Sequence, residues 1–165
     1  DGYDKGLKLN PDAVDIYVYR GFAKSRLGDD RGAIADYDLA EGRKSGFIEL
    51  YFQRAFSKLE TKDYTGSLKD LDHYLELNPK GVSAYVNRGF TKVYLRDYEG
   101  ALADFDHAIK LNPGLGEAYG GRGTVKTHIN DYKGAIADWK EAIRLNPHLR
   151  PQIQPLIDKT EAKLR

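Results

Sequence analysis

The chain of 165 residues contains no cysteine and no methionine. Without cysteine it can form no disulfide bond, and it lacks a thiolate for nucleophilic attack or metal binding. No apolar run approaches the roughly 18 residues of a membrane-spanning helix, and no basic segment followed by an apolar one opens the chain. These absences exclude a disulfide-stabilised scaffold, and they predict a soluble chain without membrane insertion.

The chain also lacks an excess of either charge, since 26 lysines and arginines stand against 25 aspartates and glutamates. The basic residues are spread through the sequence and form no patch of the kind that binds nucleic acid. We therefore predict no nucleic-acid partner. No targeting signal specifies a compartment, and we favour the cytoplasm over the alternatives. Because the sequence begins at Asp1 and has no methionine, we expect it to be part of something longer.

A short terminator, Leu-Asn-Pro, divides the chain at regular intervals. Its prolines stand at positions 11, 79, 113 and 147, so the spacing is 34 residues, or twice 34 where one terminator is missing. The missing terminator falls at Ser45, and Gly42 and Gly46 beside it predict a frayed helix end and a looser turn. A fixed period of this length is typical of repeat proteins.

The best-formed repeat, in residues 82–113, predicts two helices joined by a turn. Apolar residues recur every three to four positions in its first half and again in its second half. Between the halves, Asp97 stands where its carboxylate can accept hydrogen bonds from the free N–H groups that open a helix. Asn112-Pro113 then ends the second helix, because proline lacks a donor and restricts the residue before it.

Small and large side chains recur at matching positions of the repeats. The small residues of the first helices are Gly21, Ala55, Gly89 and Gly123, and those facing them in the second helices are Ala33, Ser67, Ala101 and Ala135. The large side chains four residues further on are Tyr37, Leu71, Phe105 and Trp139. Small residues let two helix backbones approach, and large ones fill the space beside the crossing. The pattern therefore predicts tightly crossed helical hairpins.

The 34-residue period, the helix-turn-helix unit, the small residue against alanine, the aromatic anchor and the closing proline together resemble the tetratricopeptide repeat. The resemblance implies an all-α fold, a right-handed solenoid of helical hairpins. We expect one domain over residues 1–165. Its parts are a half-repeat at 1–13, repeats at 14–47, 48–81, 82–115 and 116–149, and a capping helix at 150–165. The departures from the family pattern are Ser45, Leu71 and the lysines Lys24, Lys58, Lys92 and Lys126, where the family often carries tyrosine.

The last segment carries apolar residues at helical spacing among charged ones, as expected of a helix that covers the end of a repeat array. Pro151 suits the first turn of such a helix, whereas Pro155 predicts a late start or a kink.

Opposite charges recur in register within each hairpin and predict an arginine-carboxylate bridge. The predicted pairs are Arg20 with Asp36, Arg54 with Asp70, Arg88 with Asp104, and Arg122 with Asp138. We favour a structural role for them over ligand binding, because they lie next to core positions.

Three groups of residues superficially suggest enzyme chemistry. Aspartates two positions apart, such as Asp104 and Asp106, do not face each other on a helix, and equivalent aspartates of neighbouring repeats are too far apart to share a proton. The four histidines lack the spacing of a zinc site. The glycines around Gly120 follow no strand, as a phosphate-binding loop would require. We therefore expect no catalytic residue, no metal and no cofactor.

The resemblance implies that the first helices line a concave groove, and it places the family's contact positions on this sequence. The expected groove residues are Val18, Tyr19, Phe22, Phe52, Gln53, Phe56, Leu59, Val86, Asn87, Phe90, Val93, Tyr94, Gly120, Gly121 and Thr124. Members that clamp a terminal carboxylate use lysine, asparagine and arginine at such positions, and only Asn87 matches here. Most of the others are apolar, so we expect an exposed apolar strip that binds a ligand. The alternative is that neighbouring helices already cover these side chains.

These observations predict a non-catalytic module for protein-protein interaction. The expected partner is a protein or peptide that lays an apolar helix or extended segment in the groove, with Phe52, Phe56, Phe90 and Tyr94 as anchors. The alternative is self-association into a homo-oligomer, through the groove or through the leading half-repeat.

Overall fold

The computed structural model describes residues 2–43 and 46–164, and these residues form ten α-helices and no β-strand. The all-α fold expected from the sequence is confirmed. The missing terminator at Ser45 lies outside the described residues. The helices are α1 (Gly2–Leu9), α2 (Val14–Arg26), α3 (Asp30–Gly42), α4 (Glu49–Glu60), α5 (Tyr64–Leu77), α6 (Val82–Tyr94), α7 (Tyr98–Leu111), α8 (Gly116–His128), α9 (Tyr132–Leu145) and α10 (Arg150–Ala162).

Each hairpin turn ends in the same N-cap. Asp97 accepts a hydrogen bond from the backbone N–H of Gly100 at 2.9 Å, which confirms the cap expected there. The equivalent caps are Asp29 with Gly32, Asp63 with Gly66, and Asp131 with Gly134. A Cβ atom on Gly100 would lie 2.2 Å from a carboxylate oxygen of Asp97. The glycine therefore recurs because the capping carboxylate leaves no room for a side chain.

The residue before each cap adopts a left-handed conformation. The φ angles are 81° at Gly28, 65° at Lys62, 62° at Arg96 and 64° at Asn130. Only Gly28 takes this conformation without a steric penalty. The turn shape is thus imposed by the two helices that it joins.

The small residues face large side chains, as the sequence predicts. A Cβ atom on Gly89 would lie 2.9 Å from the ring of Phe105, and one on Gly123 would lie 2.7 Å from the ring of Trp139. In the one hairpin with alanine at the small position, the large side chain is Leu71. Glycine is therefore required where the partner is a ring.

The sequence predicts one domain, and the helices group into two compact units, Asp1–Pro79 and Lys80–Arg165. Unit 1 contains α1 to α5. Its core is built from α2, α3 and the start of α4, with Tyr37 at its centre. Helix α1 contacts α2 and buries no residue completely.

Unit 2 contains α6 to α10 and two apolar cores. One core joins α6, α7 and α8 around Phe105, and the other joins α9 and α10 around Trp139. Helix α10 begins at Arg150 and continues through Pro155, so the late start expected from that proline is wrong. Within the described residues, no helix has the length and apolar character needed to cross a membrane.

Candidate functional site

The recurrent arginines pair with the aspartates sixteen positions later. Arg54 donates from Nε and Nη2 to the two oxygens of Asp70 at 2.8 and 2.6 Å. Arg20, Arg88 and Arg122 make the same bidentate contacts with Asp36, Asp104 and Asp138, at 2.6 to 2.9 Å. All four aspartates are buried. Burying a carboxylate without a partner carries a large desolvation penalty. The bound arginine offsets this penalty and so allows each aspartate to be buried.

The lysines that depart from the family pattern complete these pairs. Lys58 Nζ lies 2.8 Å from Asp70 Oδ2, an oxygen that also accepts from Arg54. The equivalent contacts are Lys24 with Asp36, Lys92 with Asp104, and Lys126 with Asp138. Sequence reasoning missed this role, although the lysines recur four residues after the arginines. Each buried aspartate therefore binds two cations.

The arginines also reach back to the preceding second helix. Arg54 Nη1 lies 2.8 Å from Asp38 and 2.5 Å from Glu41, both on α3. Burial opposes the charge on Arg54, but hydrogen bonds to Asp70 and Glu41 outweigh it and raise the pKa of Arg54. The same contact lowers the pKa of Glu41. Since every charge in this network is already paired inside the chain, its geometry supports a structural role.

The expected groove residues do not form one exposed strip. Val18 and Val86 are buried in the cores, so the expectation that they add apolar surface is wrong, because the facing helices cover both side chains. Gly121 is also buried, and a Cβ atom there would lie 2.5 Å from the Phe105 ring. The residues left half-buried are Phe22, Phe52, Gln53, Leu59, Asn87, Phe90, Val93, Gly120 and Thr124, and those left exposed are Tyr19, Phe56 and Tyr94.

The half-buried rings are held from behind by rings of the cores. Phe22 packs on Tyr37 with ring centroids 5.7 Å apart, and Phe52 packs on Tyr74 at 5.4 Å. In unit 1, Phe47 adds an edge contact to Tyr19 at 6.0 Å. Sequence reasoning missed Phe47, since it lies in the connection before α4 and outside the helical pattern.

Unit 2 contains a cleft of about 350 Å³ between α6, α8 and the start of α10, which we call the cap cleft. Its lining residues are Phe90, Glu117, Gly120, Gly121, Thr124, Trp139, Leu149, Gln152, Ile153 and Leu156. Four of these, Phe90, Gly120, Gly121 and Thr124, are expected groove residues. The wall from α10 is formed by Leu149, Ile153 and Leu156, whose helical spacing in the sequence predicts a capping face but not a cleft.

The floor of the cap cleft is rigidly held. Trp139 Nε1 donates to the carbonyl oxygen of Gly120 at 3.2 Å, and Thr124 Oγ1 donates to the same oxygen at 3.1 Å. Phe90 packs edge-on against Phe105 with ring centroids 5.1 Å apart. The rim carries Glu117, the second residue of α8, which is exposed and makes no ion pair within the described part of the chain. The cleft is thus apolar inside, with one carboxylate at its edge.

A second depression, of about 570 Å³, lies in unit 1 beside α5. Most of the residues that line it have polar or charged side chains, and they include Glu41 and Asp70, whose carboxylates already bind Arg54. This depression is therefore an open part of the ion-pair network.

The histidines contact tyrosine rings. His73 lies against Tyr51 and His107 against Tyr85, with ring centroids 4.3 and 4.2 Å apart. In the described residues, no three side chains of histidine, aspartate or glutamate are grouped so that they could hold a metal ion. These histidines therefore contribute packing to the hairpins.

Comparison with known proteins agrees with this architecture. Residues 82–115 match the family model described as tetratricopeptide repeat. No curated protein matches the chain. The solved structure of MamA from Desulfovibrio magneticus RS-1 aligns with a TM-score of 0.83 and 17% identity, covering 88% of this chain and 82% of that one.

Two further solved structures are similar. YrrB, described as a tetratricopeptide protein with an unusual peptide-binding site, aligns with a TM-score of 0.81 and 20% identity over 88% of this chain and 75% of that one. A thermophilic tetratricopeptide protein from Thermus thermophilus, TTC0263, aligns with a TM-score of 0.73 and 19% identity over 92% and 83%. At such identities the likeness shows the fold, which agrees with the direct match of residues 82–115 and with the recurrent hairpins. Residues 82–115 therefore match the tetratricopeptide repeat, and the chain has the all-α helical-hairpin fold of the solved tetratricopeptide proteins.

Proposed function

We propose that this chain is a non-catalytic scaffold for protein-protein interaction, and that it binds an apolar segment of its partner in the cap cleft. The cleft is the observation that carries the proposal. Its volume of about 350 Å³ lies within the range of ligand sites, and its lining is predominantly apolar. Its floor is held by Trp139 and its walls come from three helices, so the cavity exists before a ligand arrives. A preformed cavity lowers the entropic cost of binding.

Exposed aromatic side chains support a wider contact surface. Phe56 and Tyr19 of unit 1 are exposed, and Tyr94 of unit 2 is exposed near the end of α6. Aromatic side chains supply much of the binding energy at interfaces when a partner desolvates them. We propose the exposed and half-buried groove residues of each unit as a contact surface of that unit.

A matched pair of leucines tests the proposal. Leu156 lines the cap cleft and is 40% exposed, while Leu164 is 46% exposed and lies outside it. Peptides would be selected from a displayed random library against the wild-type chain, and their dissociation constants measured for wild type, Leu156→Ser and Leu164→Ser. Full burial of a leucine contributes about 1.5–3 kcal/mol. Because 40% of Leu156 is left for a partner to cover, we expect Leu156→Ser to weaken binding about three- to eightfold. Equal affinities for the three proteins would refute the proposal.

Self-association is a second candidate, and α1 is the feature that favours it. This helix exposes Tyr3 and Leu9, and none of its residues is fully buried. A second copy could cover that surface. Light scattering over a concentration series distinguishes the candidates, because a protein that stays monomeric at every concentration excludes this one.

We also keep the repeat boundaries expected from the sequence as a proposal. These boundaries are supported by the helix bounds, since each of the segments 14–47, 48–81, 82–115 and 116–149 encloses one pair of helices. The final helix α10 lies in the proposed capping segment 150–165. Deletion of one 34-residue segment should leave a helical chain that unfolds cooperatively, whereas deletion of 17 residues, which removes one helix of a hairpin, should abolish cooperative unfolding.

A further inference from the structure

We infer that the segment bound in the cap cleft carries an aliphatic side chain next to a lysine or arginine. The aliphatic group enters the cleft, and the cation lies beside Glu117. This inference rests on the proposed function and specifies the chemistry of its partner.

The size of the cleft limits what enters it. Ligand sites usually measure about 300–1,000 Å³, and the cap cleft is at the lower end with about 350 Å³. Such a volume takes one or two side chains and leaves the backbone of the partner outside. The bound element is therefore recognised mainly by a side chain that it inserts.

The two adjacent glycines of α8 have different roles, and one of them keeps the cleft open. A Cβ atom on Gly121 would collide with the Phe105 ring at 2.5 Å, so Gly121 is needed for packing. A Cβ atom on Gly120 would meet only Ile153 at 3.6 Å and Ala142 at 3.9 Å, which are ordinary contacts. The fold therefore does not require glycine at position 120. Its absent side chain leaves free the space between α8 and α10.

The charge at the cleft selects a cation. Glu117 is the one ionisable residue among the lining residues, and no lysine or arginine lines the cleft. Glu117 makes no ion pair within the described residues, so its carboxylate is available to a partner. An acidic segment would meet this carboxylate without a compensating cation. Electrostatic complementarity of this kind contributes specificity more than affinity.

Peptide pools provide the probe. Four pools of ten-residue peptides with otherwise randomised positions would carry a central Leu-Lys, Leu-Glu, Leu-Gln or Ser-Lys pair. Binding is followed through the fluorescence of Trp139, which is the only tryptophan of the chain and forms the floor of the cleft. We expect the Leu-Lys pool to bind up to about fivefold more tightly than the Leu-Gln pool at low salt, since exposed ion pairs contribute about 0.2–1 kcal/mol. The Leu-Glu pool should bind most weakly of the three leucine pools.

A matched pair of glutamates supplies the control. Glu117 and Glu99 are each the second residue of a helix, so replacing either by glutamine removes the same interaction with the helix dipole. Only Glu117 lines the cleft. Glu117→Gln should abolish the preference for Leu-Lys over Leu-Gln, and Glu99→Gln should retain it.

The outcomes separate this inference from the proposed function. Leucine pools that bind equally well, or best with glutamate, overturn the role of the cation and leave the apolar cleft intact. Equal binding of the Leu-Lys and Ser-Lys pools, or no binding of any pool, overturns the cleft as a side-chain site as well. A change in Trp139 fluorescence that follows protein concentration without peptide, and is lost in Leu156→Ser, identifies a second copy as the occupant and overturns the inference.

Discussion

Replacing Tyr37 by phenylalanine should make the chain more stable, although tyrosine is the native residue. The Tyr37 side chain is completely buried in the core of unit 1, and its hydroxyl has no hydrogen-bond partner within the described part of the chain. The large residues at equivalent positions are Leu71, Phe105 and Trp139, two of which have no polar atom. The hydroxyl therefore lowers the free energy of unfolding, and packing at this position of the hairpin does not require it.

The expected change in stability on replacing Tyr37 by phenylalanine is the difference between two opposing contributions. Burying an unpaired hydroxyl costs about 1–3 kcal/mol. Removing it leaves a void of about 10–15 Å³, which costs about 0.3 kcal/mol. We expect Tyr37→Phe to raise the free energy of unfolding by about 1–2 kcal/mol. For a chain of this size the melting temperature should rise by about 2–8 °C.

Urea unfolding followed by far-ultraviolet circular dichroism measures the effect, and Tyr74→Phe is the matched control. Tyr74 is also buried in unit 1, but its hydroxyl accepts a hydrogen bond from Asn78 at 3.0 Å. Tyr74→Phe should therefore lose about 0.5–1.5 kcal/mol. The reasoning is refuted if Tyr37→Phe is as unstable as Tyr74→Phe, because the Tyr37 hydroxyl would then have a partner.

The pH dependence offers an independent measurement. Burial, with the charges of Asp30 and Asp36, raises the pKa of Tyr37 above its ordinary value of about 10. Above pH 10 the unfolded chain loses this proton while the folded chain retains it. The stability linked to this proton is complete below about pH 10 and falls as the pH rises further. The advantage of Tyr37→Phe over wild type should therefore grow above pH 10.

Four further substitutions test other parts of the structure by thermal unfolding. Gly121→Ala should cost about 1–3 kcal/mol because its Cβ would overlap the Phe105 ring, whereas Gly120→Ala should gain up to about 1 kcal/mol from helix propensity; equal effects would contradict the separate roles of these glycines. Arg96→Gly should gain about 1 kcal/mol, since φ is 62° at this residue; a loss of stability would show that the arginine side chain stabilises the turn by more than the strain. Arg54→Ala should lose about 3–5 kcal/mol, because its buried aspartate partner keeps only the lysine; an unchanged melting temperature would rule out the ion pair as a stabilising contact.

The repeat architecture could be predicted from the sequence because its determinants are local. The Leu-Asn-Pro terminators and the aspartate caps act on backbone groups within a few residues of themselves. The small residues, such as Gly89, recur at a period that only a repeated packing arrangement explains. The pair of Ala55 and Leu71 fits the same packing arrangement, because Leu71 is smaller than a ring and leaves room for the methyl group of Ala55.

The candidate site was harder to predict because burial depends on all helices around a residue. Val18 and Val86 occupy the same repeat position as Phe52 and Gly120, yet the facing helices cover the valines and leave the other two half-buried. The lysines that depart from the family pattern also have no role that the sequence alone predicts. Only the folded chain gives Lys58 a role, because there its amine binds Asp70, the aspartate that is also bound by Arg54.

The sequence by itself determined the helices, their hairpin turns and the period at which they recur, because caps, terminators and apolar spacing act over one or two turns of a helix. Only the tertiary structure decided where a ligand could enter. The cap cleft needs Phe90 from α6, Gly120 from α8 and Leu156 from α10, residues that are up to 66 positions apart in the chain. A periodic sequence pattern cannot predict this cleft, because its shape depends on how side chains from three separate helices pack together.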